Sequence, residues 1–128
     1  MGFRLKTSTK TKDLFDILSS SSNLKPFALS KIAIALSINA NESIDNYNIP
    51  DSNGMELQRS TVTGDYDLVY KSLIELNLGR SITDDEYYPH YTKLHIDRGI
   101  ELLYNLYQYS GNSLDKFLNS ILNKGEFI

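Results

Sequence analysis

The chain has no cysteine, only two histidines and no long apolar run among its 128 residues. The lack of cysteine excludes disulfides, thiolate nucleophiles and cysteine-based zinc sites. The apolar runs are too short to predict a membrane span. No charged and then apolar leader opens the chain, so we expect a cytoplasmic protein. The remaining composition, 41% hydrophobic and 23% charged, is typical of one globular domain.

Positive charge is outnumbered overall but concentrated at the amino terminus. The net charge is -3, yet residues 1–31 hold six cations against Asp13 and Asp16, a net of +4 that leaves -7 for the rest. Such a basic end can present a local positive face to nucleic acid. The alternative is simple scatter of cations. We predict a nucleic-acid-binding surface of six residues, Arg4, Lys6, Lys10, Lys12, Lys25 and Lys31.

The amino-terminal residues alternate in polarity. Phe3 and Leu5 are expected to face inwards, and Arg4 and Lys6 outwards, which predicts a half-buried strand at residues 3–8 with a cationic outer face. A serine-rich turn then separates two helical patterns, and short polar side chains of this kind favour turns and caps. Proline in the first turn of the second pattern is compatible with a helix start.

The fold class predicted from these patterns is mainly α, with one or two short strands. Apolar residues at helical spacing predict helices at about 10–19, 24–38, 65–78, 91–109 and 114–123. We interpret residues 1–128 as a single domain, made of a basic amino-terminal unit at 1–38, an acidic loop at 39–53 and a helical body at 54–124. In the third helix we expect Leu68, Val69, Leu73 and Leu76 to face the core.

A strand, a helix, a turn and a buried helix within 38 residues resemble a ribbon-helix-helix unit. In that architecture the strand pairs with a dimer mate, and its outer side chains enter the major groove of DNA. A lone short strand needs a partner. The rival partner is the later segment 55–62 of the same chain, and the sequence leaves both open.

The acidic loop and the two histidines are weak candidates for a metal site. Glu42, Asp45 and Asp51 follow no metal-ligand spacing and have no paired cations in sequence, so we interpret the loop as solvated and mobile. His90 and His95 are five residues apart, on different faces of a helix. We therefore predict no metal and no cofactor, and place His95 as a polar residue on the long helix.

The stretch Thr63-Gly64-Asp65, followed by Asp67, could hold a phosphate, carry catalysis or begin a helix. The two carboxylates would repel phosphate but suit the positive end of a helix. No neighbour in sequence raises a carboxyl pKa towards neutrality. The stretch thus predicts a helix start, with Asp65 or Thr63 as the cap and Gly64 as a turn residue. We predict no catalytic residues and no enzyme.

Two further features indicate packing rather than chemistry. Gly99 stands in the middle of the long helix, where glycine is about 1 kcal/mol less favourable than alanine, so we expect a close helix contact, internal or between subunits. The tyrosines cluster at residues 87–91 and 104–109 with few cations beside them. A core or subunit interface is therefore favoured over base stacking.

Three segments together resemble a known family. LKPFALSKIAIALSI, DSNGMELQRSTVTGDYD and LHIDRGIELL occur in this order, and the pattern NG-x-E-x-x-R-x-T-x-TG-x-Y-D is the most specific part. The chain resembles the DndE family of small DNA sulfur modification proteins over residues 3–122. Under this resemblance Thr61, Thr63 and Gly64 belong to a family hallmark with a structural or partner-contact role.

The resemblance implies a non-enzymatic member of the DNA phosphorothioation machinery, a DNA modification pathway of the restriction-modification kind. It further implies tetramers, a preference for nicked double-stranded DNA, and partners that transfer sulfur and hydrolyse ATP. A DNA-binding accessory subunit is thus our first hypothesis. The alternatives are a protein scaffold that uses its acidic body, and a ribbon-helix-helix repressor suggested by residues 1–38.

Overall fold

The structure is a computed structural model that describes residues 2–111. Within them the longer elements are β1 (Arg4–Lys6), α1 (Thr9–Ser22), α2 (Pro26–Ile38), β2 (Glu56–Gln58), α3 (Arg59–Val62), α4 (Asp67–Leu78), α5 (Asp84–Glu86) and α6 (Lys93–Tyr109). Single 3-10 turns lie at Ile44–Asn46 and Gly64–Tyr66, and a π-helical turn at Tyr87–Thr92 runs into α6. The predicted mainly helical class is confirmed. The helix predicted at 114–123 lies outside the described residues.

The partner of the amino-terminal strand is in the same chain. β1 pairs antiparallel with β2, with Leu5 opposite Leu57, and both of these leucines are buried. The pairing thus falls on the segment 55–62 and not on a dimer mate. The side chain of Phe3 is exposed, contrary to its predicted inward position, although its carbonyl accepts a hydrogen bond from the N–H of Arg59.

The first helix is longer than predicted. It continues through the serine-rich stretch to Ser22, whose hydroxyl donates to the carbonyl of Leu18. Asn23 then ends it in the left-handed conformation, at φ 61°. Its cap is Ser8, whose hydroxyl accepts from the backbone N–H of Thr11. The serine-rich stretch is thus helical and not the predicted turn, and Asn23, whose N–H donates to the carbonyl of Ser19, ends the helix.

Helix α6 is the centre of the domain. Residues 91–100 are all buried, and α2 lies against this part of the helix. A Cβ built on Gly99 would come within 1.8 Å of the carbonyl oxygen of Ala33. The predicted close contact at Gly99 is therefore internal, between α2 and α6. The tyrosines at 87, 88 and 91 are core residues, as favoured.

The prediction for α4 was wrong about its inner face. Leu68 and Leu76 are 78% and 79% exposed, and Val69 and Leu73 are also exposed. Only Ile74 is fully buried on this helix. The helix lies at the edge of the domain, where one side of it covers the core and the opposite, more apolar side faces outwards. Apolar spacing alone does not state which neighbour covers a helix.

The acidic loop is held by side-chain contacts, contrary to the expectation of a loop without ionic partners. Arg80 Nη1 lies 3.2 Å from Asp45 Oδ2. Asp51 accepts hydrogen bonds from the backbone N–H and the hydroxyl of Thr9. Long-range partners of this kind cannot be read from the loop's own sequence. Among the described residues, no helix is long and apolar enough to cross a membrane.

Candidate nucleic-acid interface

The strand carries two of the six predicted cations on its outer face. Arg4 and Lys6 are both exposed, as their alternation predicts. Across the strand pair Lys6 faces Glu56, and Arg4 Nη1 lies 3.7 Å from Glu56 Oε1. One carboxylate therefore neutralises part of this face, and Lys6 remains free of ion pairs within residues 2–111.

Helix α1 carries the next two cations on different sides. Lys10 Nζ lies 2.8 Å from Glu101 Oε1 on α6, so its charge is partly used within the domain. Lys12 is exposed and, two residues on, points to another side of the helix. The exposed Asp13 follows it directly, so the positive surface of α1 is narrow.

Helix α2 carries the last two cations. Lys25 is the exposed residue that caps the start of α2. Lys31 Nζ lies 5.6 Å from the ring centroid of Phe27, a cation–π distance. Lys31 also lines a groove of about 310 Å³ between α2 and α4, together with Tyr66 and Tyr70. The structure thus spreads the six cations over β1, α1 and α2.

The cations outside this amino-terminal unit are all engaged within residues 2–111. Lys93 pairs with Asp97, and Arg98 donates to the backbone carbonyls of Ser37 and Glu42. Ion pairs with carboxylates also hold Arg59, Lys71 and Arg80. Four cations form no ion pair in the described part of the chain: Lys6, Lys12, Lys25 and Lys31. Within residues 2–111, the positive charge that is free of ion pairs is therefore confined to residues 6–31.

The TG-x-Y-D segment contributes to an ion-pair network around Arg59. Arg59 Nε donates to Asp67 Oδ1 at 3.0 Å, and Nη2 donates to Asp67 Oδ2 at 2.6 Å. Its Nη1 reaches Asp84 Oδ2 and the carbonyl of Gly2, each at 3.0 Å. This fork joins α3, α4, α5 and the start of the chain, and the two carboxylates raise the pKa of Arg59.

The carboxylate of Asp67 accepts hydrogen bonds from three side chains. Besides Arg59, the hydroxyl of Thr63 donates to its Oδ1 at 2.6 Å, and the hydroxyl of Tyr87 donates at 2.9 Å. Burial raises the pKa of Asp67, but these hydrogen bonds outweigh it and hold the pKa below 3.8. A carboxylate held so firmly in its charged form is suited to structure rather than to proton transfer.

Thr63-Gly64-Asp65 leads through the 3-10 turn Gly64–Tyr66 into α4, as predicted for a helix start. Gly64 has a φ of 48°, as expected of a turn residue. The predicted side-chain caps are not observed, since neither Thr63 nor Asp65 accepts a backbone N–H at a helix start. Sequence analysis missed the role of Arg59. The sequence feature that could have predicted this role is the arginine of the NG-x-E-x-x-R pattern, which lies eight residues before its partner Asp67.

The glycine of the same pattern has a packing role. A Cβ on Gly54 would lie 2.1 Å from the carbonyl oxygen of Ser8, so only glycine fits beside β1. Its N–H donates to the carbonyl of Thr7 at 2.8 Å. The glycine and the arginine of the motif thus hold opposite ends of the strand pair, since Gly54 lies beside Thr7 and Arg59 beside Gly2 and Phe3.

No metal site was found within residues 2–111: no three histidine or acidic side chains converge there. His95 is fully buried, with Nδ1 2.8 Å from the hydroxyl oxygen of Ser37. Because Arg98 Nε donates to that oxygen, the Ser37 hydroxyl can donate to His95. His95 Nε2 is buried without a hydrogen-bond partner in the described residues.

The fold and the site define a small, mainly helical protein with a strand pair tied to an arginine network and free lysines at its amino-terminal end. The family model described as DNA sulphur modification protein DndE matches residues 4–110. The chain therefore belongs to the DndE family. This confirms the resemblance drawn from the sequence motifs. No curated protein matches the chain.

Two solved structures share the fold. One is the crystal structure of DndE from Escherichia coli B7A, involved in DNA phosphorothioation modification, with a TM-score of 0.63 and 16% identity over 79% of this chain and 95% of that one. The other is a glycine-to-lysine mutant of DndE, with a TM-score of 0.61 and 16% identity over 78% and 95% of the two chains. At this identity they establish the architecture alone.

Proposed function

We propose that this protein is a non-catalytic, DNA-binding accessory subunit of the DNA phosphorothioation machinery. Membership of the DndE family gives the pathway. The observation that carries DNA binding is the partition of charge: the free cations are Lys6, Lys12, Lys25 and Lys31, while the described cations after residue 38 are engaged internally. Arg4 and Lys10 join this surface once phosphate competes with Glu56 and Glu101.

The preferred ligand is double-stranded DNA that carries a nick. The family resemblance supports this preference, and the spread of the cations over β1, α1 and α2 supports a contact with more than one stretch of backbone. A nick lets a duplex bend at one step, so that separated cations can reach phosphates on both sides of it. No metal or cofactor takes part in this binding.

A homo-oligomer would multiply a weak contact of this kind. The outer face of α4, formed by Leu68, Val69, Leu73 and Leu76, is apolar and exposed, which is typical of a surface between subunits. We assign oligomer formation to this face. A tetramer is favoured by the family resemblance, and each added copy would bring a further set of free lysines to the DNA.

The salt dependence of DNA binding tests this function. Substituting Lys6, Lys12, Lys25 and Lys31 by glutamine should weaken binding and flatten the plot of log affinity against log salt by about 0.9 per lost phosphate contact, or about 3.6 in all. Lys71→Gln is the control, since this lysine lies outside the unit and 3.8 Å from Asp84. An unchanged slope in the fourfold variant would contradict the proposal.

A protein scaffold without DNA binding of its own is the second candidate. Two observations favour it: Arg4 and Lys10 already have carboxylate partners, and the acidic groups of α5 are exposed. In that case the partners would be the sulfur-transferring and ATP-hydrolysing subunits, and the fourfold glutamine variant would still assemble with them. The structure does not favour the ribbon-helix-helix repressor, because β1 pairs with β2 of its own chain and not with the strand of a dimer mate.

A further inference from the structure

An apolar groove lies between the carboxy-terminal halves of α2 and α6. It encloses about 630 Å³ and is lined mainly by Leu36 and Ala40 on one side and by Leu102, Leu106 and Tyr109 on the other. Tyr109 is 90% exposed at its edge. An aliphatic groove of this size gains stability when an apolar segment removes it from water.

The last described residues lie at the edge of this groove, and their backbone conformation is that of a turn. Helix α6 ends at Tyr109, which lines the groove. Gly111 follows in the left-handed conformation, at φ 69°, and its N–H donates to the carbonyl of Gln108 at 3.0 Å. A left-handed glycine of this kind ends a helix and redirects the chain, as at the corner between two antiparallel helices.

The residues after this corner have a sequence that matches the groove. Their apolar residues recur at a spacing that predicts one stripe on a helix: Leu114, Phe117, Leu118, Ile121 and Leu122. The stripe spans about 12 Å at 1.5 Å per residue, and the groove between Leu102 and Tyr109 spans about 11 Å on the same basis. The family match ends at residue 110, so the stripe lies beyond the matched domain.

We propose that residues 113–123 bind in the groove between α2 and α6 of their own chain through this apolar stripe. A segment joined to the rim by a short turn has a high effective concentration there, so it competes well against a second copy or another protein. The bound segment would cover Leu102 and Leu106. This inference does not depend on the proposed function in DNA modification.

Engineered disulfides test the proposal directly, since the natural chain has no cysteine. In an antiparallel arrangement about Gly111, Leu102 faces the region of Ile121. The double variant Leu102→Cys/Ile121→Cys should form a disulfide within one chain, at least about tenfold faster than Leu102→Cys/Asn119→Cys, because Asn119 lies off the stripe and a disulfide needs Cα atoms within about 7 Å. Mass spectrometry and non-reducing gels separate disulfides within and between chains.

Each result of this experiment is decisive. A rapid disulfide within one chain supports the proposal. Equal rates in the two variants would contradict it, and so would a disulfide between chains, which would show that a second copy occupies the groove. Limited trypsin digestion covers the case in which the cysteine variants fail to fold. Leu106→Asp should raise cleavage after Lys116 about tenfold over the exposed control Gln108→Asp, and equal cleavage would overturn the proposal.

Discussion

At the scale of single residues, the unusual feature is the polarity buried in the middle of α6. Arg98 donates to the hydroxyl of Ser37, which is the partner of His95. The pKa of His95 falls from 6.5 to about 3, first through burial and then through the charge of Arg98. His95 is therefore neutral in the folded protein over the whole physiological range.

This neutral histidine predicts a loss of stability in mild acid. Below pH 6.5 His95 becomes protonated in the unfolded chain but stays neutral in the folded chain. The free energy of unfolding therefore falls as the pH falls, until His95 is protonated in both states below about pH 3. Between pH 6.5 and about pH 5 we expect a loss of about 2 kcal/mol. Urea denaturation across this range should show that His95→Gln removes the loss.

His90→Gln provides the matched control, because His90 is the other histidine of the chain and is less buried. It should keep the pH dependence of the natural protein. The same dependence in His95→Gln would show that other groups produce it. From the sequence, His95 could be predicted only as a polar residue on the long helix, because its burial depends on α2, which is 58 residues away at Ser37.

Arg59 and Gly99 show what the sequence does and does not reveal about single positions. Gly99 was predicted to permit a close contact, because glycine in a helix interior needs a reason. Arg59 was missed, although it joins Asp67, Asp84 and Gly2. The motif contains Arg59 but does not name its partners. Those partners depend on how α3, α4 and α5 pack together.

At the scale of elements, the contact between α2 and α6 is the main packing interface. Gly99→Ala should destabilise the protein by about 3 kcal/mol, because the new methyl group would overlap the carbonyl of Ala33. In an ordinary helix interior the same change would stabilise by about 1 kcal/mol. A loss of stability in Gly99→Ala, rather than a gain, therefore indicates the close contact between Gly99 and Ala33. Chemical denaturation measures it, with Asn105→Ala, at an exposed position of α6, as the control.

The outer face of α4 is the element that sequence analysis described least well. Its apolar residues were correctly identified as a stripe, but they face away from the core of their own chain. A single sequence contains no distinction between a stripe that meets the core and one that meets another subunit. The start of the helix was also predicted two residues too early, because residues Gly64–Tyr66 form a 3-10 turn and α4 begins at Asp67.

The oligomer interface proposed for this face gives a prediction about the mass of the protein in solution. Leu68→Asp combined with Leu76→Asp should yield a smaller, folded species, because both side chains are exposed in the single chain and would be buried only between subunits. Sedimentation velocity measures the mass, and circular dichroism the fold. The matched control is Ile17→Asp with Ile49→Asp, at two separate exposed isoleucines. An unchanged mass in the α4 variant would contradict the assignment.

At the scale of the whole molecule, the distribution of charge matters more than its total. The net charge of -3 argues against nucleic acid, yet among residues 2–111 the cations free of ion pairs lie on β1, α1 and α2. The strand and the two helices that carry these cations were predicted from the sequence, whereas the use of the cations in DNA binding stays a prediction. The sequence did not reveal that Arg4 and Lys10 are ion-paired, because Glu56 and Glu101 lie far along the chain.

The most direct test of the account compares binding to nicked and intact duplexes of identical sequence. The natural protein and the variant with Lys6, Lys12, Lys25 and Lys31 changed to glutamine would be measured at low and at moderate salt. We predict that the natural protein prefers the nicked duplex, that salt weakens this binding steeply, and that the variant loses it. Equal affinity for both duplexes, or binding that salt and the substitutions leave unchanged, would contradict the central claim.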